Sequence, residues 1–168
     1  MDEATLALVE NLLARQGAAL ELYARQWCET PEDVVQEAVL RLARTRPLPE
    51  RPVAWLYRTV RNGAISSARA TARRRRHEAA AARAIDWFEA STHDQLDARQ
   101  AAEALRELPV EQREVLVARL WGGLNFSQIA EVAGCSSSAA HRRYVAALAA
   151  LRERLGVPCP MPTASPNG

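Results

Sequence analysis

Three groups of residues have the types and spacing to recognise a charged partner. Arg58, Arg61, Asn62 and Arg69 share, with Ile65, one outward sector of a helix that turns Val53, Leu56, Val60 and Ala64 inward, and Arg73, Arg74, Arg75 and Arg76 extend that charge along the chain. A guanidinium is planar, permanently charged and able to grip an oxyanion with two parallel hydrogen bonds. A basic run of this kind neutralises phosphates and releases their condensed counterions. Ser138, His141, Arg142 and Arg143 form a second group, on or beside the polar face of a later helix, and their side chains suit base edges and phosphates. The third group is Asp33, Gln36, Glu37 and Leu40, left outside, with Arg44, when Val34, Val35, Ala38, Val39 and Leu42 turn inward. Acids and an amide around an exposed leucine suit a protein partner better than DNA.

Other chemistries lack their residues. Cys28, Cys135 and Cys159 are far apart and make no pair or cluster with metal-ligand spacing, and His141 has no acid or cysteine at ligand distance along the sequence. Asp86, Glu89, Asp94 and Asp97 are the one candidate carboxylate cluster, and they fall in a weakly patterned segment rather than on a framework that fixes them. The expectation is therefore no enzyme, no catalytic residue, no metal and no cofactor. The acidic start MDEATLALVE is unlike a signal peptide, and no apolar run approaches the ~18 residues of a membrane span, which gives a cytoplasmic reading.

The elements that must position these groups are helices. Apolar residues make up 48% of the 168-residue chain, with Ala and Leu dominant and only seven glycines. A net charge of +2 hides an uneven distribution: residues 1–50 carry nine acids against five arginines, whereas residues 51–83 carry nine arginines against the single acid Glu78. Leu6, Val9, Leu12, Leu13, Leu20 and Tyr23 mark one or two packed helices, with Gly17 a place for a bend. Thr30 as cap, Pro31 at the first position and Glu32 and Asp33 in the first turn start a helix that runs to about Thr45, before Pro47 and Pro49. Pro52 opens the basic helix. Trp55 and Tyr57 on it offer faces for base stacking, although aromatics at helical spacing more often pack in a core.

Beyond the arginines the pattern weakens and the charge turns acidic. The fold class is all-α: two small helical domains, 1–76 and 97–155, joined by a flexible tether over 77–96 and followed by a flexible tail over 156–168 that holds four prolines in thirteen residues. In the second domain Pro109 starts a helix with Val115, Leu116 and Leu120 as its stripe, ended by Gly122-Gly123. Asn125 with Gln128 three residues on has the form of a capping box before Phe126, Ile129, Ala130 and Ala133. After the turn Gly134-Cys135, Ser136 caps a helix with Ala140, Tyr144, Leu148, Leu151 and Leu155 on one stripe. Two short helices around a glycine turn are the sequence form of a helix-turn-helix, whose second helix is expected to enter the major groove; the plain alternative is a helical hairpin with a solvated polar face.

On these residues the chain resembles a bacterial sigma factor of the sigma-70 family, of the small extracytoplasmic-function type. PEDVVQEAVLRL at 31–42 resembles the helix that grips RNA polymerase core, with Asp33, Gln36 and Glu37 on its motif positions, and the exposed Leu40 is expected to dock with them. AWLYRTVRN at 54–62, with the arginine run, resembles the segment that opens and reads the minus-ten element. Residues 108–155 resemble the module that reads the minus-thirty-five element through Ser138, His141, Arg142 and Arg143. The resemblance implies polymerase core and promoter DNA as partners, an anti-sigma factor as a third partner of a kind common in the family, and a monomer when free. Val39 and Ser66, where the family usually has an aromatic and often an acid, and the alanines at 146, 149 and 150 depart from its pattern and leave the promoter sequence open. A stand-alone helix-turn-helix regulator, the second reading, predicts a dimer on paired half-sites, and no segment reads as a dimerisation helix. A helical nuclease would need the clustered carboxylates to be held together.

Overall fold

Residues 3–77 and 102–156 are the described part of the computed structural model, and every regular element in them is a helix. The expected tether, apart from His77, and the expected tail, apart from Gly156, lie outside the described residues.

Helix α1 (Glu3–Ala24) runs through Gly17 without interruption. Its buried side carries Val9, Leu12, Leu20 and Tyr23, whereas Leu6 and Leu13, expected in the same stripe, are exposed. Both sit one position round the helix from the buried line, so the 3.6-residue period turns them out. Helix α2 (Pro31–Arg44) begins with Pro31, Glu32 and Asp33 in place, yet the Thr30 side chain makes no capping bond. Proline geometry and two acids at the positive end of the dipole start it instead. At its other end the Arg46 guanidinium donates to the carbonyls of Ala43 (3.1 Å) and Thr45 (2.8 Å) and to Thr5 Oγ1 (3.3 Å), which ties the end of α2 to the start of α1. Helix α3 (Pro52–His77) completes a three-helix group around Tyr23, Leu42, Leu56, Tyr57 and Val60, all essentially inaccessible. Tyr23 packs edge-on against Tyr57 and Trp27, with ring centroids 4.9 and 5.1 Å apart.

The second group starts with a helical stretch over 102–106 and continues through α4 (Val110–Leu120), α5 (Phe126–Ala133) and α6 (Ser137–Arg154). The capping box is complete: Gln128 N–H donates to Asn125 Oδ1 and the Asn125 N–H to Gln128 Oε1, each at 2.9 Å. Gly134 ends α5 in the left-handed conformation (φ +66°), and Ser136 Oγ accepts from Ala139 N–H to start α6. On α6 Ala140 and Ala147 are buried and Tyr144, Leu148 and Leu151 half-buried, while Leu155, expected on the stripe, is exposed at the helix end.

The two groups share one continuous apolar core. Glu114 to Ala118 are all buried, so the middle of α4 is covered on every side, by α5 and α6 of its own group and by α1 of the other, whereas Leu120, expected on its apolar stripe, is 52% exposed at the helix end. Helix α5 packs on α3. Gly122 allows the approach, because a Cβ there would stand 2.7 Å from Tyr57 Cζ and Oη.

Candidate nucleic-acid interface

Helix α6 presents its polar face as the helix-turn-helix pattern requires. Ser138, His141 and Arg142 are exposed and Arg143 is half-buried at the edge of the stripe. The His141 ring stands edge-on to Phe126 at 5.0 Å, and the Arg119 guanidinium lies 5.3 Å from the centre of the same ring. Phe126, Ser137, Ser138, His141 and Arg142 line a shallow groove of about 390 Å³ at the start of α6. The two caps fix the turn between α5 and α6 through local hydrogen bonds, so the groove stands on a rigid frame.

On α3, Arg58, Asn62 and Arg69 are exposed along one side, followed by Arg73, Arg74 and Arg75. Arg74 reaches Thr71 Oγ1 at 3.3 Å, and Arg75 forms an ion pair with Glu29. The Arg76 side chain lies outside the described residues. Tyr57 is buried, its hydroxyl 3.5 Å from Gln16 Oε1, and is thereby removed as a stacking platform. Trp55 is half-buried beside Arg58 in a cleft of about 380 Å³ that Glu131 and Val132 of α5 close from the other side.

Arg61 departs from the sequence expectation. It does not face outward: its Nε donates to Glu114 at 2.6 Å, and its guanidinium lies 5.9 Å from the Trp27 ring centre. Tyr23 Oη donates to the same Glu114 oxygen at 2.7 Å. Burial alone would lower the Arg61 guanidinium, and the Glu114 carboxylate more than offsets it, so its pKa is raised. Burial first, and Glu114 second, push the Tyr23 hydroxyl well above the ordinary tyrosine range. Glu114 is thus a buried acid of the second group whose partners belong to the first. The sequence pattern missed it, although Val115 to Ala118 form an unbroken apolar run, a sign of a helix covered on all sides rather than on one stripe.

The third surface is as expected in placement. Asp33, Gln36, Glu37 and Leu40 are all exposed on α2, with Leu40 43% accessible and Glu37 paired with Arg41 at 3.2 Å. Among the described residues no group of His, Cys, Asp or Glu is arranged to hold a metal ion, and no helix is long and apolar enough to cross a membrane.

The family model for Sigma-70 region 2 matches residues 7–74, and that for Sigma-70 region 4 matches residues 98–151. The chain belongs to the sigma-70 family. Region 2 followed by region 4 is the build of the extracytoplasmic-function type that the sequence resembles, and the function of such a factor is promoter-directed transcription. Two solved structures have a similar fold. One is the sigma factor RpoE in complex with the anti-sigma factor NepR from Bartonella quintana (22% identity, 89% of this chain and 97% of that chain, TM-score 0.70). The other is CnrH in complex with the cytosolic domain of CnrY (25% identity, 90% of this chain and 89% of that chain, TM-score 0.59). Among curated proteins none matches in sequence. Region 2 of this sigma factor holds the α2 and α3 surfaces, and region 4 holds the α6 surface and Glu114.

Proposed function

We propose that this sigma factor docks on bacterial RNA polymerase core through Asp33, Gln36, Glu37 and Leu40, reads the minus-thirty-five element through Ser138, His141, Arg142 and Arg143, and holds and helps to melt the minus-ten region with the basic side of α3. The observation that carries the reading is the order of the two matched regions along the chain, each coinciding with a separate exposed surface of suitable charge. Arg58, Asn62, Arg69 and Arg73 to Arg76 supply phosphate contacts on α3, and Arg61 joins them once Glu114 releases it. Nucleotidyl chemistry is left to the polymerase, so the factor acts by positioning and by assisting the opening of the duplex. It works as a monomer, without a cofactor, in the cytoplasm where polymerase is found. The two similar structures each hold a second protein, one of them named an anti-sigma factor, which supports a regulatory partner of that class here.

The test is co-elution of the purified chain with sigma-free bacterial RNA polymerase core. We expect the wild type to co-elute and the double variant Glu37→Arg with Leu40→Asp to lose it, both side chains being exposed and free of any part in the core. No association with core, together with salt-sensitive DNA binding, would replace this reading with a stand-alone regulator.

A further inference from the structure

We infer that Glu114 is an internal stand-in for a DNA phosphate, which holds the free protein closed and keeps Arg61 from nucleic acid until the two regions separate. The inference rests on the reading of α3 as a DNA-facing surface. A carboxylate and a phosphate offer a guanidinium the same oxyanion, and Arg61 can satisfy only one of them at a time. Glu114 sits in α4 with 2% exposure, and both of its partners, Arg61 and Tyr23, come from region 2.

A phosphate therefore cannot displace Glu114 while the regions stay packed, because the displaced carboxylate would remain buried without a counter-charge. Contact of Arg61 with DNA and closure of the two regions exclude one another. The same closure sets Glu131 against Arg51 at 3.0 Å and places Glu131 and Val132 across the cleft that Trp55 and Arg58 line. A second acid thus stands beside the basic side of α3. The other two surfaces are left open: Asp33, Gln36, Glu37 and Leu40 on α2, and Ser138, His141 and Arg142 on α6, are all exposed. The closed form can meet polymerase, or a duplex at α6, but cannot present the whole of α3 to DNA. This gives an order of events in which another contact opens the protein before α3 engages.

The experiment uses the full free chain and reads two quantities: the radius of gyration by small-angle scattering, and binding of a fluorescein-labelled thymidine-rich single strand by anisotropy. Glu114→Gln removes the charge that holds Arg61, and Tyr23→Phe weakens the same contact with no change in net charge. Glu153→Gln, at an exposed position of α6, alters net charge as Glu114→Gln does and serves as the reference. Glu114→Gln should expand the molecule and bind the strand about fivefold or more tighter than Glu153→Gln, the size of an ordinary coupling between two sites. Tyr23→Phe should move both quantities in the same direction by less, and decides the matter if Glu114→Gln fails to fold. A radius and an affinity indistinguishable from the reference overturn the inference, and so does an expanded molecule that binds no tighter. Failure of the wild type to bind polymerase core would instead strike the sigma-factor reading, and leaves this comparison, made without core, intact.

Discussion

Arg142 and Arg61 carry the same side chain on the two surfaces proposed to meet DNA, and their surroundings differ. Arg142 is exposed at the rim of the groove beside Phe126, with no acid paired to it among the described ion pairs, so its guanidinium is free to enter the major groove. Replacing Arg142 with Ala should cost about 1–3 kcal/mol of promoter binding and relax preference at one base pair, as measured by anisotropy on a set of duplexes varied one position at a time. Loss of affinity shared evenly by all the duplexes would reassign Arg142 to a phosphate. Arg61, by contrast, already has a short bond to Glu114 and a neighbouring aromatic ring. Its availability depends on how the two helical groups stand, which no inspection of its neighbours in sequence reveals.

Helices α5 and α6 depend on backbone geometry more than on packing at the turn that joins them. Gly134 has φ +66°, a conformation costly for a residue with a Cβ, and a Cβ built there meets nothing within 4 Å. The cost of Gly134→Ala is therefore backbone strain alone, about 1–2 kcal/mol, and urea unfolding of the full chain should show it as a lower midpoint with an unchanged slope. This turn was legible in the sequence because everything that makes it is local: Asn125 with Gln128, Gly134, and Ser136 lie within twelve positions. The start of α2 was legible through Pro31, Glu32 and Asp33, but the cap assigned to Thr30 was not, since a side chain that can bond in the first turn need not do so. Glu114 was beyond reach for another reason. Its partners are 53 and 91 residues away in the chain, and helical periodicity describes only the face a residue occupies, not the element that will cover it. The run Val115 to Ala118 announced a second covering surface without identifying it as α1.

The described molecule as a whole has a titration that follows from its aromatic centre. Burial raises the hydroxyl of Tyr57 and, with Glu114 in second place, that of Tyr23, so both are held neutral more firmly in the folded chain than in the unfolded one. A group whose folded pKa lies above its unfolded value adds stability that is complete below the unfolded value, here the ordinary tyrosine pKa of about 10, and is lost as pH rises past it. Stability measured by urea unfolding should accordingly hold up to the unfolded tyrosine pKa of about 10 and fall as the pH rises beyond it, less steeply in Tyr57→Phe, which has no hydroxyl to ionise. The wild type and the variant sharing one slope would show that other groups carry the alkaline loss. The contact between Tyr23 and Glu114 has one more consequence, because it joins two regions of a single covalent chain. The two regions therefore meet within one molecule, and how often they meet is independent of protein concentration. Dilution leaves their meeting unchanged, whereas a change at the Glu114 carboxylate removes one side of the contacts to Arg61 and Tyr23.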